Sequence, residues 1–547
     1  MHRIKETSQP LIRSGWNDLF LSEHHIHQLE NQVLPVYLKR MRWFGGKSRP
    51  VTGMKIYQNI PVPMAQDIAR YLLIKVRYDD GPTEIYALPL MFLHSRSLLA
   101  GEYPSASILA RLEDEHHVGF LVDALYNEDF RNALFNMICQ ERQLKGMHYP
   151  MHFGRGAYIN KGGVPSPLES RVLQADQSNS SVIYNNSYFL KLFRKVEYAI
   201  NPDREIVEFL TTQDKFHQIP AFAGCAELEH PEKPRMLLLM LQQMVENQGE
   251  AWKHMLAHVD KFFVEVKETA YNERPLPIKP HLLSISWDKT PEMLQKLIGK
   301  ETFDEARLLG KRTAEFHLAL ADSAGRPDFE PADMDDEFRN RLSEELMHLL
   351  DAKFDLLQRN LHRVPAAMRE DAASMLEDRE KVRSFFTRLL SHKLEGKRIR
   401  IHGDYHLGQV LVTENDMILL DFEGEPDKPH AERRDKYPPL KDVAGMMRSF
   451  RYAAYAAMFS RFGEDNSSMM PVADLWYHFV SRYFLGAYLE TMEGSGLLPA
   501  EDKVNELLQV YSFQKAIYEL GYEINNRPDW ALIPLQSLVK FVKHYID

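Results

Sequence analysis

The run Ile401-His402-Gly403-Asp404-Tyr405-His406-Leu407-Gly408-Gln409-Val410-Leu411-Val412, followed by Met417-Ile418-Leu419-Leu420-Asp421-Phe422-Glu423, decides how this chain is read. Residues 398–401 read as a short strand that ends at a loop. The loop carries Asp404 and, five residues on, Gln409. Two apolar runs, 410–412 and 417–420, flank the turn-like cluster Thr413-Glu414-Asn415-Asp416, so a β-hairpin is expected. Its second strand would return Asp421 beside the first loop.

That order of residues suits phosphoryl transfer to a hydroxyl. One Asp accepts the proton of the attacking group, and two further side-chain oxygens hold magnesium. Asp404 is placed as the base. Gln409 stands where protein kinases have Asn, and its amide oxygen keeps one more methylene of reach. Asp421 supplies a carboxylate, and magnesium prefers such hard oxygen ligands. Glu423 is a candidate for metal or acceptor, and His402 for acceptor contact. Taken singly, His-Gly-Asp is a polar turn and Asp-Phe-Glu the end of a strand. Both, in order about a hairpin, favour the functional reading.

The residues around this core carry a more specific resemblance. His402 to Gln409, then Asp421-Phe422-Glu423-Gly424-Glu425-Pro426, then Arg433-Arg434 through Pro439-Leu440-Lys441-Asp442-Val443-Ala444-Gly445-Met446-Met447-Arg448-Ser449-Phe450, resemble maltokinase. The matches recur from Leu34 to Leu535. The resemblance implies an ATP- and Mg²⁺-dependent enzyme that makes maltose 1-phosphate from maltose. Such kinases are often fused to trehalose synthase, which makes that enzyme a possible partner and implies a place in trehalose and glycogen metabolism. It also implies the α+β, bilobal fold of aminoglycoside phosphotransferases and protein kinases, with a β-rich N-terminal cap and a mainly helical C-terminal lobe.

Composition sets bounds. The chain has 547 residues, room for two or three domains. A formal net charge of -10 argues against a nucleic-acid partner, which favours a basic surface. Cys139 and Cys225 are the two cysteines, no disulfide framework, and suit a reducing cytoplasm. The longest clearly apolar run, 236–241, is too short to span a bilayer. Met1-His2-Arg3-Ile4-Lys5-Glu6 leads into no apolar stretch, so no signal peptide is expected.

Along the chain, residues 1–120 read as the cap. Within it, 71–78 and 83–92 are strand-like around the turn signal Asp79-Asp80-Gly81-Pro82. Trp43 and Phe44 read as cap core. Gly46-Lys47-Ser48 is no P-loop, because Met41 stands where its first glycine belongs. Residues 121–248 read as the nucleotide-binding lobe, entered by a helix over 119–138. Between strands at 171–175 and 181–184, Gln177, Ser178, Asn179 and Ser180 offer backbone N–H and hydroxyl donors to phosphate. Lys191, on the strand 188–193, is the expected phosphate lysine. Glu205 on the next helix is its expected partner, with Lys195 and Glu208 as competing choices. Asn201 caps that helix with Pro202 behind it. Gln243 and Val245 lie in the segment whose backbone would meet adenine.

Residues 249–547 read as the helical lobe. Leu309, Thr313, Phe316 and Leu320 share a face, with His317 beside them as a core histidine. Asp442 reads as a helix N-cap, although a kinase-like fold would also let it brace the catalytic loop. Lys515, Tyr518, Glu519 and Tyr522 share one helical face. A salt-bridged surface helix would show the same spacing, but rings with polar partners also suit a sugar. The resemblance places this segment in the acceptor pocket. Two other readings remain: a kinase for another small hydroxyl compound, aminoglycoside- or choline-like, and a catalytically silent binding module.

Overall fold

The computed structural model describes residues 10–16, 18–95, 103–114, 118–162, 167–173, 179–269, 284–463 and 467–546. The chain divides into two compact units, Met1–Thr212 with Pro220–Val245, and Gln213–Ile219 with Glu246–Asp547.

The first unit is built on two sheets. One runs Leu11–Ile12, Ile108–Glu113, Val118–Asp123, Glu84–His94, Ile68–Tyr78, Val51–Pro63, and Lys195–Val196 adds to Glu84–His94. Its hairpins follow from alternation: Ile74 faces Tyr86 and Leu72 faces Leu88, all fully buried. Phe44 lies in that core and Trp43 packs against it, with Arg194 4.7 Å above the Trp43 ring. The single helix expected over 119–138 is corrected. Val118–Asp123 is a sheet strand, and the helix is Glu128–Cys139, capped by Asn127, which accepts from Phe130 N–H at 2.9 Å. A short apolar run such as Gly119-Phe120-Leu121-Val122 has no period that separates strand from helix, and the strands on either side decide it. This strand runs past residue 120, so the sheet extends beyond the cap segment read from the sequence.

The second sheet is antiparallel throughout: Gln143–Leu144, Met151–Arg155, Phe222–His230, Lys233–Gln243, Tyr188–Leu192, Ser180–Tyr184, Ser170–Leu173. Helix Pro202–Gln213 starts where Asn201 accepts from Arg204 N–H at 3.1 Å.

The second unit is mainly helical, with a three-stranded sheet of Gly249–Glu250, Val410–Val412 and Met417–Leu419. Leu309, Thr313, Phe316 and Leu320 are all buried on helix Lys300–Ala321. A Cβ at Gly310 would lie 2.1 Å from the Phe484 carbonyl, so this helix meets Met470–Met492 backbone to backbone. Among the described residues, no helix is long and apolar enough to cross a membrane.

Candidate active site

The hairpin is present, Val410–Val412 pairing with Met417–Leu419. Arg312 grips Asp416 of its turn at 2.6 and 2.9 Å. Leu420 N–H donates to the Gln409 carbonyl at 2.9 Å, so Gln409 and Asp421 share one end of the hairpin. Asp421 has φ +57, a left-handed conformation that Asp reaches more readily than most residues but that still costs on the order of 1 kcal/mol. Phe422 is buried, 5.3 Å from Phe316 and 5.2 Å from His402. On either side of it Asp421 and Glu423 stay half-buried, with carboxylate oxygens within 4.8 Å of one another. Two converging carboxylates form a hard-oxygen donor pair suited to a divalent cation such as Mg²⁺.

The loop before the hairpin is braced by Asp442. This carboxylate is 2% exposed and accepts from His402 N–H at 2.7 Å, Gly403 N–H at 2.9 Å and His317 Nε2 at 3.1 Å. His317 Nδ1 in turn pairs with Tyr488 OH at 3.0 Å. Burial alone raises the Asp442 pKa, but His317 and the loop amides outweigh it and hold the carboxyl below its ordinary value. The helix Leu440–Phe462 has Pro439 as N-cap, and Asp442 lies in its first turn. The N-cap reading is therefore corrected: the carboxylate leaves its own helix because two loop amides would otherwise be buried without partners. Gly403 has φ +87 and a Cβ there would lie 3.1 Å from Gly424 Cα, so the two loops touch at a pair of glycines.

Lys515, on helix Glu501–Asn526, donates to Asp404 Oδ1 at 3.1 Å. His406 Nε2 lies 4.0 Å from Asp404 Oδ2. Burial would raise the Asp404 pKa, but the charge of Lys515, then His406, brings it below the usual carboxylate range. Lys515 moves the other way, above its ordinary value: burial lowers it, and Asp404 more than offsets that. Asp404 is thus ionised at neutral pH and oriented by a cation, as a proton acceptor must be.

His402 is 1% exposed; its Nε2–H donates to the Leu420 carbonyl at 2.9 Å, and its buried Nδ1 has no partner among the described residues. This departs from the expected acceptor contact: the imidazole ties the Asp404 loop to the Asp421 segment instead. On the C-terminal helix, Tyr518 donates to Asp427 at 2.7 Å. Glu519 accepts from Arg448 Nε at 3.0 Å and also from Nη2, and Arg448 reaches Ser537 at 2.6 Å. Glu519 therefore joins a strut between helices. Tyr522 is 49% exposed, with Arg527 5.7 Å above its ring. Lys515 and Tyr518 are the pair that the structure gathers beside Asp404, with the Lys515 ammonium 5.5 Å from the Tyr518 ring.

Residues passed over in the sequence complete this surround. Glu425 takes Lys441 at 3.0 Å and Lys428 at 3.4 Å. Burial raises its pKa, but the two lysines prevail and keep it below the ordinary value. The Asp-Phe-Glu-Gly-Glu run holds Glu425 in plain view, yet its lysine partners are set by the fold.

In the first unit, Lys191 donates to Asp203 Oδ2 at 2.8 Å, both buried. Asp203, in the first turn of the helix, was not a sequence candidate; Glu205 is buried in the same turn. The competing choices are spent elsewhere: Lys195 on Glu84 at 2.8 Å and Glu208 on Arg204 at 3.2 Å. Ser180 accepts from Arg194 at 2.8 Å, which engages one of the expected phosphate hydroxyls, and Asn179 precedes it. Gln177 and Ser178 lie outside the described residues. Gln243 N–H donates to the Ala221 carbonyl at 2.8 Å, so that amide serves the sheet, and Val245 follows half-buried.

Comparison with known proteins agrees with this picture. Residues 280–476 match the phosphotransferase enzyme family, and residues 37–127 match the maltokinase N-terminal cap domain. The chain is 28% identical over 258 residues to a glucosamine kinase of Streptacidiphilus jiangxiensis, covering 46% of this chain and 53% of that protein. It is 29% identical over 137 residues to a glucosamine kinase of Mycolicibacterium smegmatis, covering 25% of this chain and 33% of that one. These alignments span about half, or less, of the relatives' length. A solved glucosamine kinase in complex with glucosamine, ADP and inorganic phosphate superposes with a TM-score of 0.60 at 16% identity, covering 97% of this chain and 100% of that one. A second crystal form of glucosamine kinase gives 0.58 at 18%, covering 91% and 96%. The fold is therefore that of the solved glucosamine kinases, α+β, with the cap segment matching the maltokinase cap domain and the helical unit the phosphotransferase family.

Proposed function

We propose that this protein is an ATP-dependent kinase that phosphorylates the anomeric hydroxyl of maltose, giving maltose 1-phosphate and ADP. One observation carries the choice of acceptor. Two carboxylates on the acceptor side are charge-matched by lysine, Asp404 by Lys515 and Glu425 by Lys441 and Lys428, while Asp427 takes the neutral Tyr518 hydroxyl. An aminated acceptor needs an uncompensated carboxylate to pair with its ammonium. A neutral sugar needs hydroxyl partners, and this balanced set of charged and phenolic groups offers both donors and acceptors.

In this reading Asp404 accepts the proton of the anomeric hydroxyl as that oxygen bonds to the γ-phosphorus and the β–γ bridge breaks to release ADP. Lys515 holds the carboxylate ionised and oriented. Gln409 and Asp421, with Glu423 beside them, would hold Mg²⁺, which when bound neutralises phosphate charge. Lys191 would hold the nucleotide phosphates. The cap match supports the maltokinase assignment, and with it trehalose and glycogen metabolism, a trehalose synthase partner and a cytoplasmic setting.

The relatives favour a second acceptor, glucosamine. Incubation with Mg-ATP and a panel of maltose, glucosamine, an aminoglycoside and choline, read by phosphorus NMR, decides between them. The expected product is an anomeric phosphate from maltose. Phosphorylation of an aminated acceptor with maltose untouched overturns the reading, and nucleotide binding with no turnover at all leaves a binding module.

A further inference from the structure

A second cationic cluster lies in the N-terminal unit, outside the Lys191–Asp203 pair. Tyr57 is the extra residue of a β-bulge, between the pairs Ile56–Ile74 and Gln58–Leu73. Bulges re-aim a side chain, and here the ring lies 3.8 Å from the Lys75 ammonium on the adjacent strand. The Tyr57 hydroxyl meets that of Tyr198 at 2.9 Å. Lys233 lies 5.1 Å from the Tyr198 ring, and His230 packs 5.0 Å from it. The cluster thus joins the cap strands Val51–Pro63 and Ile68–Tyr78 to the hairpin of Phe222–His230 and Lys233–Gln243.

Its charges are unlike those around it. Lys55 pairs with Glu30 at 2.7 Å and Lys195 with Glu84 at 2.8 Å. Lys75 and Lys233 are in no ion pair among the described residues; Lys75 is half-buried against the Tyr57 ring, and Lys233 is exposed beside the Tyr198 ring. Burial lowers the Lys75 pKa, and the like charge of Lys233 lowers it further. In a chain with an excess of acids, 77 against 67 bases, two neighbouring ammoniums without a carboxylate are a standing cost. The Tyr57 hydroxyl also hydrogen-bonds Tyr149, so the phenol pair is satisfied within the protein and the remaining donor is His230. His230 Nδ1 accepts from Glu232 N–H at 3.1 Å, which puts the ring proton on Nε2 as a donor.

We propose that Lys75, Lys233, Tyr57, Tyr198 and His230 form a binding site for a phosphate group. The ligand class is a small phosphate-bearing anion, inorganic phosphate or a sugar phosphate, held by the two ammoniums and the His230 Nε2–H. Binding there ties the cap to the hairpin that leads into 242–245, a route by which phosphate level would reach the kinase.

The test uses the full chain saturated with Mg-ADP, at constant ionic strength. Inorganic phosphate and glucose 1-phosphate are titrated separately by calorimetry into wild type, Lys75→Met and Lys233→Met. The expected result is a binding event in wild type that each substitution weakens about tenfold or more. The tighter of the two titrants identifies the source. Thermal unfolding in phosphate-free buffer provides the second measurement. Relief of like-charge repulsion should leave the lysine variants at least as stable as wild type. Three results overturn the proposal: titrations unaltered by either substitution, no binding in wild type, or variants that lose stability without phosphate. The last would make the lysines mere staples on the tyrosine rings. None of these outcomes bears on maltose turnover, so the kinase reading stands or falls separately.

Discussion

Lys515 Nζ donates to Asp404 Oδ1 at 3.1 Å across 111 residues of sequence, so the C-terminal helix places a cation on the carboxylate of the Asp404 loop. The pair shifts both groups toward their charged forms, Asp404 downward and Lys515 upward.

The first prediction is a pH effect. Asp404 has a depressed pKa, so proton-accepting capacity is present above that pKa and lost as pH falls through it. Lys515→Met removes the main lowering charge, and the acid limb of kcat/KM should move up by about one to two pH units. Lys515→Arg should restore most of it. An acid limb that does not move in Lys515→Met would show that the cation does not govern the base.

Asp404→Asn should lower kcat on the order of 10²–10⁴-fold, the usual worth of a positioned general base. Mg-ADP affinity should persist, because the proposed metal ligands Gln409 and Asp421 are untouched. Single-turnover kinetics beside calorimetry checks both halves. Near wild-type turnover would remove Asp404 from its role.

Asp442→Ala should destabilise the second unit by about 3–5 kcal/mol, because it strips a buried partner from His317 and leaves the His402 and Gly403 amides unsatisfied. Denaturant unfolding measures it. The Asp442 pKa is also depressed, so its contribution is full above the unfolded-state value and fades as pH drops through the folded one. The stability difference between wild type and the variant should therefore shrink in acid.

Asp421→Asn should weaken Mg²⁺-dependent nucleotide affinity by about tenfold or more, by replacing a charged ligand with a neutral one. Asn also tolerates the left-handed backbone at this position, so folding should be preserved and circular dichroism unchanged. Mg-ADP affinity equal to wild type would displace the metal site.

Tyr518→Phe should release the Asp427 carboxylate from the hydrogen bond that holds it, freeing it to pair with an ammonium. Maltose kcat/KM should fall about tenfold while glucosamine gains relative to it. Equal loss for both sugars would mean that Tyr518 acts only in shaping the helix.

Much of this was legible in the chain alone, because it depends on neighbours in sequence. The Val410–Val412 and Met417–Leu419 hairpin follows from two apolar runs about Thr413 to Asp416. Lys191 on its strand, the Asn201 cap and the buried face of Leu309, Thr313, Phe316 and Leu320 follow from period and capping. Residues 118–123 did not follow, because an apolar run without a period takes the form its neighbouring strands impose.

The sequence by itself determined which residue types stand at the Asp404 loop and at Asp421, and what chemistry those types can do. Partner choice was left to tertiary structure. Asp442 could cap its own helix or brace the catalytic loop, and packing settled on the loop 39 residues away. His402 looked accessible and turned inward to Leu420. Lys515 looked like a sugar contact and landed on Asp404, while Glu519 on the same face went to Arg448. Helical spacing gathers side chains on a face, but it does not say what that face will meet. A buried charge takes whichever opposite charge or unsatisfied amide the packing brings within about 3 Å, since leaving either alone costs several kcal/mol.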